Sequence, residues 1–293
     1  MMRFRHCTWH LILLLAAGCA ASPAVPEHGK GPEEIPPMAA ALTSPAESPA
    51  TLSSVPQQPA APVKPATAES VIPLRWVEAP SPAPLPPART SDLQHGVAMV
   101  RELTLEGLGA AVYLYEHPED KDHVYGVLSL KDGMAAELGP VAGSVYLEGV
   151  EADSLTLFGK RMIRIRGAVG AAAAVTRYIA WDEGQPPKLE LLVEEGHAAE
   201  LDVDGDGKRE VIASGGTNPA IVLYKQNVDG AVLRAELNEP LKADSVTVTE
   251  EGVFEAMSVS SPDVRLYRLA SEGLRLTAAY DKETYLSNRT SRR

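Results

Sequence analysis

Cysteine is nearly absent from this chain. Of 293 residues only Cys7 and Cys19 carry a thiol, so no disulfide framework organises the fold. Long hydrophobic runs are missing too: the apolar stretch from Leu11 to Ala17 falls well short of the ~20 residues needed to cross a bilayer, so no permanent transmembrane helix is expected there. Basic charge is scarce, with 27 Lys and Arg against 39 Asp and Glu. The short tail "NRTSRR" is the one cationic cluster and reads as a frayed end, so no nucleic-acid partner is expected. The chain also lacks HExxH, the GxSxG elbow, a P-loop and a dinucleotide glycine fingerprint. "GAVGAAAAV" from Gly167 is rich in small residues but leads into a tyrosine-bearing strand rather than a helix, and Ser214 in "ASGG" has no evident base. The expectation is that the protein is not an enzyme.

What is present begins at the N-terminus. "MMRFRHCTWHLILLLAAGCAASP" has a short cationic segment with Arg3 and Arg5, an apolar run, then small residues and a cysteine, the grammar of a secretory signal over residues 1–18. Its end, "AAGC", resembles a bacterial lipobox, departing from the commonest pattern at Ala16, where Leu is usual. The resemblance implies that Cys19 becomes an acylated N-terminus, which would explain a lone exported thiol. Several acyl chains on one cysteine exceed the two-chain threshold for stable anchoring, so the membrane is an expected partner through the lipid. The alternative is ordinary cleavage, with Cys19 incidental. Ala20 after that cysteine suits outer-membrane sorting by the same resemblance, and the expected location is the cell envelope, facing periplasm or surface. Without the signal the chain carries 25 basic and 39 acidic residues, a formal charge of −14.

Residues 19–90 hold 17 of the 24 prolines, spaced by alanine and serine. Such a composition buries too little apolar surface to offset its conformational entropy, and reads as a disordered, extended stalk. One island, "SVIPLRWVEA", puts Ile72, Leu74 and Trp76 on alternate positions. Residues 72–77 are a docking strand for the folded part, or a sticky patch in the linker; Pro73 restricts any strand there to an edge.

Residues 91–293 suffice for one domain, and their short alternating apolar runs separated by Gly, Asp and Asn are a β signal. "GAAVYLYEHPEDKDHVYGVLSL", "AAAVTRYIAWDEGQPPKLELLVE", "NPAIVLYKQNVDGAVLRAEL" and "SPDVRLYRLASEGLRLTAAY" each carry a tyrosine, Tyr115, Tyr178, Tyr224 and Tyr267, on an alternating strand that leads to a second one. Tyrosine intervals of 46 and 43 residues, after a first of 63, suggest a repeat of about four strands with an insertion in its first unit. The expected fold is all-β, a propeller-like repeat of about four short sheet units, with a β-sandwich as the alternative.

The densest carboxylate cluster is "DVDGDGKRE". Asp202, Asp204 and Asp206 alternate, Gly207 follows, and Glu210 lies three further on. Oxygens at every second residue converge only where the backbone curls tightly, which glycine permits, and several hard oxygen donors around one point favour calcium over zinc or a redox metal. An EF-hand would place a bidentate Glu where Ala213 stands and would need flanking helices, whereas "VIASGG" is β-branched and reaches two glycines. The loop instead resembles the FG-GAP and VCBS-type repeats of integrin-like β-propellers, in which D-x-D-x-D-G-x-x-D/E joins two strands of a blade. That resemblance implies side-chain ligands from Asp202, Asp204, Asp206 and Glu210 and a backbone carbonyl from Lys208. It departs from the pattern in its final acid, Glu where Asp is common, and in the absence of the loop from the other units. His197, five residues upstream, reads as a solvated turn residue.

Together these features predict a lipid-anchored envelope protein whose calcium-stabilised β-repeat module serves binding or scaffolding, with a protein or polysaccharide ligand. The alternative is an envelope hydrolase, acting on polysaccharide, with a site assembled from loops.

Overall fold

A computed structural model describes residues 71–80, 83–88, 98–182 and 184–290. The signal, Cys19 and most of the proline-rich stalk therefore lie outside the described residues. The chain is all-β, built from four antiparallel sheets.

The described part of the proline-rich segment carries three two-residue strands, β1 (Val71–Ile72), β2 (Val77–Glu78) and β3 (Ala83–Pro84). The first sheet then follows as β4 (Ala98–Leu105), β5 (Ala110–His117), β6 (Asp120–Ser129) and β7 (Ala135–Gly143), and a 3-10 turn at Ser144–Gly149 leads out of it. The second is β8 (Glu151–Leu157), β9 (Lys160–Gly170), β10 (Ala173–Ala180) and β11 (Lys188–Val193). The third is β12 (His197–Leu201), β13 (Glu210–Gly215), β14 (Ala220–Gln226) and β15 (Val232–Glu236), and the fourth is β16 (Ser245–Val248), β17 (Phe254–Met257), β18 (Asp263–Ala270) and β19 (Gly273–Asp281). Every sheet is a meander in which consecutive strands pair. The domain thus holds four sheets rather than the two of a sandwich.

Successive sheets pack through three apolar cores. Val112, Leu114 and Leu128 meet Ile163, Ile165 and Ile179 between the first and second sheets. Met162, Tyr178 and Leu191 meet Val211, Val222 and Tyr224 between the second and third, while Ile212, Ile221 and Leu223 meet Phe254, Tyr267 and Leu274 between the third and fourth. The third sheet explains its own sequence: Val211 and Ala213 face one core and Ile212 the other, so a strand buried on both faces reads as an unbroken apolar run instead of an alternation. Among the described residues no apolar core joins the first sheet to the fourth. The far face of the fourth sheet is covered by the C-terminal helix Lys282–Thr290, pinned where Glu255 accepts from Tyr285 Oη at 2.5 Å and Arg289 Nη1 at 2.6 Å.

The four tyrosines fall on the sheets differently from the sequence expectation. Tyr178, Tyr224 and Tyr267 all lie on the third strand of their sheets, whereas Tyr115 lies on a second strand, cross-strand from Tyr125 on the third. With Tyr125 as the equivalent residue the intervals become 53, 46 and 43, and most of the supposed insertion disappears. Two tyrosines ten residues apart on neighbouring strands offered the wrong partner.

The proline-rich segment departs from the composition-based boundary at residue 90. Residues 71–80 and 83–88 form a strap along the fourth strands of all four sheets, in reverse order. Val71 and Ile72 pair with Arg275 and Leu274 on β19, and Val77 and Glu78 with Arg234 and Leu233 on β15. Ala83 and Pro84 pair with Leu189 and Lys188 on β11, and Pro87 bridges Ala136 on β7. Each docking point is too short to need many N–H donors, which is why prolines are tolerated along an edge. The strap also fills the cores: Ile72, Leu74 and Trp76 pack on the third–fourth core, Ala79 lies in the second–third, and Leu85 packs on the first–second. At Gly273 any Cβ would lie 2.2 Å from Ile72 O, so the glycine is what lets the strap approach. The strap thereby covers strand edges that would otherwise invite pairing by other chains.

Candidate metal centre

The aspartate loop is the connection between β12 and β13. It curls because Gly205 and Gly207 take φ of +78° and +84°, and because each aspartate ties down the backbone ahead of it. Asp202 accepts from Gly205 N at 2.8 Å and Gly207 N at 3.0 Å, Asp204 from Asp206 N at 3.1 Å, and Asp206 from Lys208 N at 2.7 Å. The loop is anchored inward by Val203, buried in the core between the third and fourth sheets. It also abuts the β16–β17 turn, where a Cβ on Gly252 would lie 3.2 Å from Val203 Cα.

Glu210 opens β13 and is only 3% exposed, with Oε2 accepting from Val203 N at 3.0 Å. Carboxylate oxygens of Asp202, Asp204 and Glu210 lie within 4.8 Å of one another. Burial pushes the Glu210 carboxyl up to about 7, opposed by the Val203 N–H and reinforced by the negative charge of Asp204, Asp206 and Asp202. A fold that holds a buried acid among like charges favours a cation beside it, and an all-oxygen donor set suits a hard one. The residues present therefore fit a divalent ion of the calcium type.

Of the five sequence-expected ligands, the structure brings together Asp202, Asp204 and Glu210. Asp206 stands outside that group and caps Lys208 N, because its position next to Gly207 makes it the last turn-former of the loop. Lys208 is held through its backbone N–H, and its neighbourhood is a shallow groove of about 340 Å³ shared with Ser154 and Thr156. His197 sits at the start of β12, cross-strand from Ser214.

Sequence reasoning missed a second charged cluster, two residues before the loop. Glu200 on β12 accepts from Tyr178 Oη at 2.5 Å and from Arg164 Nη1 at 2.6 Å, with Arg166 Nη2 at 3.6 Å. Arg164 also binds Asp153 on β8, and Arg166 Nη2 donates to Ala198 O at 3.0 Å. The cluster joins the second sheet to the third. Its signal in the sequence was "RIR", Arg164 and Arg166 on one strand face of an otherwise acidic chain.

Comparison of the chain with family models, curated proteins and solved structures finds no match. No helix among the described residues is long and apolar enough to cross a membrane.

Proposed function

We propose that the protein is a lipid-anchored component of the cell envelope whose β-repeat module is stabilised by calcium and serves binding or scaffolding of a protein or polysaccharide. The observation that carries the reading is the convergence of Asp202, Asp204 and the buried Glu210 within 4.8 Å on a loop whose neighbours lie in two sheets. Calcium there would neutralise the carboxylates and brace the third sheet against the fourth, a structural role. Four consecutive four-stranded meanders with third-strand tyrosines at similar intervals support a propeller-like, FG-GAP or VCBS-type repeat. The signal grammar and the cysteine at position 19 support export and acylation.

Extracellular calcium modules bind with dissociation constants of ~0.1–1 mM. At ~1 mM free calcium and ~0.1 mM affinity the linkage is about 1.4 kcal/mol, or roughly 3–6 °C in melting midpoint for a domain of this size. Thermal unfolding of the full chain with calcium, with magnesium and with chelator tests this. Calcium should raise the midpoint and chelator should reverse the rise; identical midpoints in all three would remove the metal from the reading.

A further inference from the structure

We propose that residues 71–80 are a releasable latch: tension reaching the domain from its N-terminal side peels the strap from the fourth sheet and then the third, uncovering the edges of β19 and β15 while the sheets stay folded. The order of docking carries the inference. The strap meets the fourth sheet first, at Val71–Ile72, then the third at Val77–Glu78, the second at Ala83–Pro84 and the first at Pro87. A pull from upstream therefore acts on one docking point at a time instead of shearing all four together.

The contacts are graded to match. β1 and β2 hold two residues each, against 4 to 11 in the strands of the sheets. At the far end the strap is tied more densely, by Leu85 N to Pro187 O at 3.1 Å, Ala88 N to Ala135 O at 2.9 Å and Glu137 N to Pro86 O at 2.8 Å. Between the first two docking points the hold depends on side chains. Trp76 packs on the third–fourth core under Lys225 Nζ, 4.3 Å from the ring centroid, with Ile72 and Leu74 beside it. Ala79, buried and donating to Val232 O at 2.8 Å, closes the second point. Once these leave, two fourth-strand edges present unpaired backbone groups, the surface that an extended segment of another chain takes by strand addition.

The anchored reading supplies a source of tension, but the peeling order belongs to the fold alone, so the latch stands or falls separately from lipidation and calcium. Optical-tweezer extension of the full chain, held at its two ends in chelator and again in calcium, tests it. The expected record shows a reversible low-force lengthening of up to about 34 Å, ten residues at ~3.4 Å each, before the sheets unfold. Trp76→Ala should lower the force of that early transition and leave the later rupture in place, and Ala79→Pro, which removes the N–H donated to Val232, should do the same for its second part. A single all-or-none rupture of the unsubstituted chain would overturn the latch, as would an early transition whose force neither substitution changes.

Discussion

Replacing Glu200 by alanine should destabilise the domain more than any other single loss of charge between its second and third sheets. The Glu200 side chain is 8% exposed, and its two oxygens serve Tyr178 Oη, Arg164 Nη1 and, more distantly, Arg166 Nη2. Truncation leaves the fully buried Tyr178 hydroxyl without its acceptor, a loss of about 1–3 kcal/mol. It also leaves Arg164 with only the half-exposed Asp153 and Arg166 with only the exposed Glu151 as carboxylate neighbours, and Arg166 Nε already lacks a partner there. Breaking a buried charge cluster from one side costs about 3–5 kcal/mol in all. Glu151 supplies the internal control, since it lies 3.9 Å from the same Arg166 but its side chain is 65% exposed. Glu151→Ala should lose less than about 1 kcal/mol, because water screens that pair. Urea denaturation followed by circular dichroism, with the slope unchanged between variants, measures both. Equal midpoints for the two variants, or a loss below about 1 kcal/mol for Glu200→Ala, would refute the claim that burial sets the worth of these charges.

Glu210→Gln should have opposite effects with and without metal. In chelator at pH 8 the substitution removes a carboxylate that the fold must hold buried among three aspartates, while the amide oxygen can still accept from Val203 N; stability should rise by about 1–3 kcal/mol. In calcium the variant should be the less stable, and urea midpoints in the two buffers check the reversal. The Glu210 carboxyl sits at about 7 when folded against an ordinary 4.5, so the unsubstituted protein in chelator should lose stability as pH rises from about 4.5 to 7, a trend that Glu210→Gln should flatten. At the alkaline end Tyr115 is pushed up to about 12, by burial first and then by Glu137. Its unfolded form ionises near 10, so its contribution is complete below pH 10 and fades between 10 and 12, by about 1–2 kcal/mol after allowance for solvent screening. Phenolate absorbance during titration, read beside the denaturation midpoint, follows it, and Tyr115→Phe should reduce the alkaline loss.

The convergence of Asp202, Asp204 and Glu210 was legible because these residues lie close in sequence: spacing and glycine placement bring their carboxylates together, whereas Asp206 stands outside the group because its role depends on where the turn ends. The all-β class was legible for the same local reason, since alternation and turn residues act over a few positions. Partnerships between sheets were not. Nothing in "HAAEL" tells that Glu200 meets Arg164 and Tyr178, because that register is set by how two separately formed sheets settle on each other. Tyr115 was matched with Tyr178, Tyr224 and Tyr267 in place of Tyr125 because both stand on one face of one sheet. The strap was half legible. Ile72, Leu74 and Trp76 advertised a docking segment, yet the prolines that continue to Pro87 looked like tether, and composition does not distinguish a loose proline-rich chain from one laid along an edge.

Val71 and Arg275 are cross-strand neighbours separated by two hundred residues of chain. The part of the described domain that leaves the ribosome first thus finds its seat last, once the final hairpin exists to receive it. Seating is then a check on completeness: a polypeptide truncated before β19 lacks the first landing place of its own strap.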